Sequence, residues 1–281
     1  MIRSDGLKEK VTSESIRKYW DSRAALGHTS GSSDFILKDL ETAILLEYVK
    51  PNSTILDVGC GNGETMIKLA KERGCAGTGV DFSVETIRLA NKNCGKVNLE
   101  DQLVFKTAQV PGGLEEQVLF DYVVTQRCLV NLTSKEDQRR AFSEIMSQVK
   151  PGGYYLMIED SQQGLDSLNV LRCGLDLEPI LPPWHNLFLD ERDVSVWQTA
   201  EWQLVEGPKA VASTYYFLSR VVYAKIAGDQ GLKPEELRYD SEINRLAYRL
   251  PRNIGDWGAP KIWMWQRDVR VDLNAAERGK S

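Results

Sequence analysis

Three glycines in five residues, Gly59, Gly61 and Gly63, follow the run Ile55-Leu56-Asp57-Val58. Glycines at the exit of a strand let the backbone turn tightly and come close to a ligand, and they expose amide N–H groups where the next helix starts. A second run, Gly79-Val80, ends at Asp81, 22 positions after Gly59. A carboxylate at that place is suited to accept both hydroxyls of a ribose. A dinucleotide fingerprint needs glycine at position 64, where this chain has Glu64, and a phosphate loop needs Gly-Lys-Ser/Thr, which is absent. Asp57, two residues before the first glycine, would repel a pyrophosphate. It suits a nucleoside carrying a cationic amino-acid part.

The elements that must position these groups are legible from the pattern. Short apolar runs at 54–58, 76–80, 103–107, 120–125 and 154–158 alternate with helix-compatible segments from Glu64 to Arg73, Ser83 to Asn93 and Ser134 to Val149. Such alternation reads as βαβ units and a doubly wound, mostly parallel α/β sheet. Two helices precede it, from Ser13 to about Leu26 and from Asp34 to Val49, with Gly27 to Ser33 as a loop between them. Pro151-Gly152-Gly153 reads as a turn. Beyond Asp160 the alternation weakens: 202–211 and 261–271 read as late strands, and 214–257 as a partly helical insertion. In an open α/β sheet the ligand lies outside the carboxyl ends of the strands. Gln126, Arg127 and Asn131, after the fourth run, and Asp160, after the fifth, therefore face the reacting centre. Arg127 suits an anionic or polar acceptor, and Asp160 suits orienting or deprotonating a hydroxyl.

Four pieces carry a family resemblance: Leu56-Asp57-Val58-Gly59-Cys60-Gly61-Asn62-Gly63, Val80-Asp81-Phe82-Ser83, Phe120-Asp121-Tyr122-Val123-Val124 and Val149-Lys150-Pro151-Gly152-Gly153. In order and spacing, residues from about 53 to 160 resemble the class I S-adenosylmethionine-dependent methyltransferases. The resemblance implies a Rossmann-like sheet of seven strands with S-adenosylmethionine over the first strands' carboxyl ends and S-adenosylhomocysteine as product. Gly59, Cys60, Gly61, Asn62 and Gly63 would hold the methionine part, with Asp57 and Gln126 beside it. Asp81 would hold the ribose, and Phe82 would flank the adenine. The family usually has an acidic residue after the third strand. Here Ala108-Gln109 stand there, and the Gln109 amide oxygen can accept in its place. Tyr19-Trp20, His28, the Trp184-His185-Asn186 loop and Tyr215-Tyr216 resemble features of the small-molecule and sugar type, in which an N-terminal helix closes over the cofactor. Tyr19 would then touch the cofactor, while Trp184, Asn186, Tyr215 and Tyr216 would touch the acceptor. The expected division is a helical cap over 1–52, a cofactor core over 53–160, and an acceptor-pocket insertion with terminal strands of the same domain over 161–281.

Methyl transfer is a displacement that depends on alignment and exclusion of water. A hydroxyl acceptor gains from a general base, for which His185 is the first candidate and His28 the second. Composition narrows the partners. The 281 residues carry 35 Lys plus Arg against 40 Asp plus Glu, a net charge of −5 that disfavours a nucleic-acid face. Five cysteines without C-x-x-C spacing and two histidines give no expectation of a metal site or disulfide framework. No apolar run reaches the ~18 residues that span a bilayer, and the polar start, Met1 to Lys10, carries no apolar core of a leader. The expectation is a cytoplasmic biosynthetic enzyme without membrane or nucleic-acid partner. It would methylate a hydroxyl of a small polar acceptor such as a sugar, nucleotide-sugar or natural product. Transfer to a small amine, with Asp160 or Glu159 holding the cation, and a non-catalytic nucleotide-binding module are the alternatives. Oligomeric state is left open.

Overall fold

The computed structural model describes residues 11–114 and 118–269. Five parallel strands, β1 (Thr54–Val58), β2 (Ala76–Asp81), β3 (Leu103–Thr107), β4 (Phe120–Gln126) and β5 (Val149–Asp160), are joined by β6 (Trp202–Ala210) and β7 (Pro260–Arg267). The order is β3-β2-β1-β4-β5-β7-β6, with β7 antiparallel to both of its neighbours. Period-2 alternation sorts the side chains onto two faces. Ile55, Tyr122, Val124, Leu156, Ile158 and Ile262 enter one apolar cluster. Leu56, Val123, Tyr155, Met157, Trp263 and Trp265 enter the other.

Of the helices α1 (Ser13–Ala24), α2 (Phe35–Tyr48), α3 (Glu64–Arg73), α4 (Val84–Gly95), α5 (Lys135–Ser147) and α6 (Gln162–Cys173), all but α3 start where short polar side chains cap them. Thr12, Asp34, Ser83, Ser134 and Ser161 each accept a backbone N–H of the first turn. Gly63, in the left-handed conformation, opens α3. The helix expected to reach Leu26 ends at Ala24, and a 3₁₀ turn at Gly27–Thr29 lies inside the expected loop.

The α2 stripe of Ile36, Leu37, Leu40, Ile44 and Leu45 is buried in the same cluster as β1. This helix, expected within the 1–52 cap, packs as part of the core. The turn expected at Pro151-Gly152-Gly153 is a bulge inside β5: pairing passes from Phe120↔Val149 to Tyr122↔Tyr154 with a register shift. The late insertion is α8 (Ser213–Phe217), a π-helical turn at Leu218–Val222, α9 (Tyr223–Asp229) and α10 (Glu242–Arg245), after the short α7 (Glu191–Ser195).

Candidate active site

Register puts the functional ends of three strands side by side. Val58 pairs with Val80 and with Thr125, so the glycine loop, Asp81 and Gln126 leave the sheet at one level. Ile158 pairs with Gln126, and the Arg127 N–H donates to the Ile158 carbonyl at 2.8 Å, bringing Arg127 beside Asp160. Over this edge lies a cavity of about 840 Å³.

One end of the cavity is the glycine loop. Gly59 sits at φ 79°, and a Cβ there would come within 2.9 Å of Cys128 Cβ, so neither the turn nor the packing admits a side chain. Gly61, at φ 54°, has open space where its Cβ would project, and it lines the cavity: the backbone forms an unfilled cradle. Asp81 is 9% exposed. Its two oxygens accept the N–H of Gly61 at 3.1 Å and of Ser83 at 2.9 Å. A carboxylate has about four lone-pair directions, so two remain for a ligand. Burial pushes Asp81 up to about 6 and Asp57, beneath the loop and next to Asp81, up to about 7. Phe82, Ala108, Gln109, Gln126, Cys60 and Asn62 also line this end. Asp57 and Gly63 do not. The Gly61 cradle and the half-used Asp81 carboxylate fit a ribonucleoside with an amino-acid tail, the shape of S-adenosylmethionine. The Cys60 and Cys128 thiols are pushed up by burial and are poor nucleophiles.

Helix α1 closes the cavity from above. Tyr19 stacks on His185 with ring centroids 4.4 Å apart and meets Trp184 edge-on. Trp20 donates its indole N–H to Asn131 Oδ1 at 3.0 Å. Ser83 donates its hydroxyl to Asp21 at 2.6 Å, tying α1 to the start of α4. His185 lines the cavity, but burial, with help from Arg23, pushes it down to about 4, so its imidazole is neutral at working pH. Trp184 is 55% exposed and backs the stack without lining the cavity, whereas Asn186 lines it. The His28 side chain lies outside the described residues.

The far end is charged. Arg127, at φ 56°, donates to Glu41 Oε2 at 3.0 Å, and Arg220 donates to Asp34 Oδ2 at 2.5 Å. Arg220 also lies over the rings of Tyr216 and Tyr239, at 4.5 and 4.2 Å. Asp160 faces both guanidiniums. Of the tyrosine pair expected at the acceptor, Tyr216 lines the cavity. Tyr215 is fully buried in the core with its hydroxyl donated to Asp34, which corrects its expected contact with the acceptor. Glu159 is likewise withdrawn from the holding of a cation: its carboxylate accepts the N–H groups of Cys128, Leu129 and Val130 at 3.0 to 3.2 Å.

Residues not singled out from sequence are Glu41, Arg220 and Tyr239. Glu41 had a signal, since it interrupts the apolar stripe of α2 between Leu37 and Ile44 and a carboxylate there is buried. Arg220 sits in the π turn and had none.

Sheet order, loop and cavity together define the Rossmann-like methyltransferase fold, and residues 55–153 match the family model of a methyltransferase domain. That stretch is a methyltransferase domain of the class I, S-adenosylmethionine-dependent type. Over 135 residues the chain is 27% identical to 27-O-demethylrifamycin SV methyltransferase of Amycolatopsis mediterranei, covering 48% of this chain and 47% of that one. Over 198 residues it is 28% identical to demethylmenaquinone methyltransferase of Bacillus cereus, covering 66% and 81%. The chain spans less than half the length of the first curated relatives it matches. In fold it is similar to the crystal structure of the (4+2)-cyclase SpnF, with a TM-score of 0.61 at 16% identity over 94% of this chain and 100% of that one. Among the described residues no helix is long and apolar enough to cross a membrane.

Proposed function

We propose that the protein transfers the methyl group of S-adenosylmethionine to a hydroxyl of a small polar acceptor, such as a sugar or natural product. The observation that carries this reading is the continuity of one cavity of about 840 Å³, running from Gly61 and Asp81 to Arg127, Asp160 and Tyr216. A pocket of that size holds a cofactor and a small acceptor together. When bound, S-adenosylmethionine supplies an electrophilic sulfonium methyl. The amides of the glycine loop would hold its methionine part and the Asp81 carboxylate its ribose. Gln126 and Asn131 stand where β4 ends, between the two halves of the cavity. Asp160, pushed up to about 6 by burial against the pull of Arg127 and Arg220, is ionised at neutral pH and basic enough to take the hydroxyl's proton as the C–O bond forms. At about 4, the His185 imidazole is a weaker proton acceptor, and it serves as a wall with Tyr19. Helix α1, held by Trp20 and Asp21, excludes water from the sulfonium.

Release of S-adenosylhomocysteine from S-adenosylmethionine, followed across panels of small hydroxyl, amine and carboxylate compounds, tests the reading. Turnover with hydroxyl compounds supports it. An intact protein that fails to bind S-adenosylhomocysteine in calorimetry overturns it.

A further inference from the structure

Buried polar atoms require partners, and those left without one mark where a ligand must supply it. Among the described residues, several such atoms belong to side chains lining the one large cavity: Glu41 Oε1, Asp160 Oδ1, Asn186 Oδ1, Ser30 Oγ and His185 Nδ1. The two carboxylate oxygens and the amide oxygen only accept, and the other two atoms can accept. No guanidinium N–H of Arg127 or Arg220 is stranded in this way. The cavity wall therefore asks for donors.

The two carboxylates stand at the charged end, on different elements. Glu41 is fully buried on α2, and Asp160, 7% exposed, ends β5. Asp160 is near enough to add to the proton affinity that burial gives Glu41, and both carboxylates act on Arg127. Counted with Asp34, they make three carboxylates against the two guanidiniums of Arg127 and Arg220. One negative charge is left over when all are ionised. Lys38, the further cation on α2, is committed to Glu64. A buried excess charge is costly without a counter-ion.

We propose that the acceptor is an amino alcohol whose ammonium group binds between Glu41 and Asp160 while the neighbouring hydroxyl lies at the second oxygen of Asp160. This deepens, and rests on, the methyl-transfer reading. An ammonium brings up to three donors and one positive charge, which answers both stranded oxygens and cancels the excess. A diol brings donors without the charge. A carboxylate or phosphate brings neither and meets Asp160 between the two arginines. The position of Arg220 on a π-helical turn agrees with a binding role, since such turns are frequent at functional sites.

The test uses the full chain saturated with S-adenosylhomocysteine, titrated calorimetrically with glucosamine against glucose and with ethanolamine against ethylene glycol at neutral pH. The expected result is that each amine binds at least about tenfold more tightly than its diol counterpart. Glu41→Gln and Asp160→Asn should each remove most of that preference while S-adenosylhomocysteine affinity stays within about threefold. The unchanged affinity also reports that the variants are folded, and Glu41→Asp, which keeps the charge, should retain part of the preference. Equal binding of amine and diol, binding of neither amine at millimolar concentration, or variants that lose S-adenosylhomocysteine instead would each overturn the proposal. The last outcome would give the two carboxylates to the cofactor. Failure of the parent protein to bind S-adenosylhomocysteine at all would instead strike the methyl-transfer reading.

Discussion

Asp81 carries two duties that one substitution removes together and two assays read apart. In the free protein its oxygens hold the Gly61 and Ser83 N–H groups, joining the glycine loop to the start of α4. Its two unused lone-pair directions are the ones a ribose would take. Asp81→Ala removes both duties. Leaving buried N–H groups unsatisfied costs about 1–3 kcal/mol each. Gly61 lines the cavity, where water can reach it, so the expected loss of stability is about 2 kcal/mol in total. Two hydrogen bonds to a charged acceptor contribute about 1.5–3 kcal/mol each. At about 1.4 kcal/mol per factor of ten, S-adenosylhomocysteine affinity should fall by at least about a hundredfold. Calorimetric titration gives the affinity, and a urea melt gives the stability. The parent affinity carries a further signature. Burial sets Asp81 at about 6, and a protonated carboxyl has fewer acceptor sites, so binding should weaken as pH falls through 6. Asp81→Asn should flatten that dependence. A folded Asp81→Ala protein that binds S-adenosylhomocysteine within about threefold of the parent would refute the reasoning, because no double hydrogen bond to a carboxylate is that weak.

Burial places Glu41 and Asp57 at about 7, above their ordinary values of 4.5 and 3.8. Groups raised on folding contribute stability that is fully present below the ordinary value and is lost as pH rises through the folded value. The ligand-free protein should therefore be more stable at pH 5 than at pH 8, by on the order of 2–3 kcal/mol for each of the two groups at about 1.4 kcal/mol per pK unit; urea midpoints that rise across this range would contradict it. Glu159→Ala should cost about 3 kcal/mol or more, since three buried N–H groups lose their acceptor, whereas Glu159→Gln should cost about half of that; the same melts decide. His185→Phe keeps a ring against Tyr19 and should leave S-adenosylhomocysteine affinity within about threefold and the shape of the pH–rate profile unchanged. A turnover loss of about a hundredfold would restore His185 as a base.

The glycine-loop end of the cavity was readable because its pieces are local in sequence. Gly59, Gly61 and Gly63 lie within five residues, and Asp81 follows at the fixed distance of one βαβ unit, so periodicity alone brings them to one edge. Helix caps at Asp34, Ser83 and Ser134 were legible for the same reason. The charged end is assembled from pieces that no local rule joins. Asp34 and Arg220 are 186 positions apart, and Glu41 and Arg127 are 86 apart. Tyr215 and Tyr216 look alike in sequence, but a helix turns successive residues by about 100°. One of the pair therefore enters the core and the other the cavity. Glu159 and Asp160 are separated by the strand's alternation in the same way, Glu159 serving backbone amides and Asp160 the cavity. Adjacent residues with the same side-chain chemistry thus acquire different work, and the register of β5 against β4 and β7 decides which carboxylate faces the cavity. A one-residue slip of β5 that brought Glu159 to the place of Asp160 would bring Ile158 to the place of Glu159. It would leave the helical turn at Leu129–Asn131 uncapped and would point the capping carboxylate at the arginines. The amides held by Glu159 therefore also hold the register that presents Asp160 to the cavity.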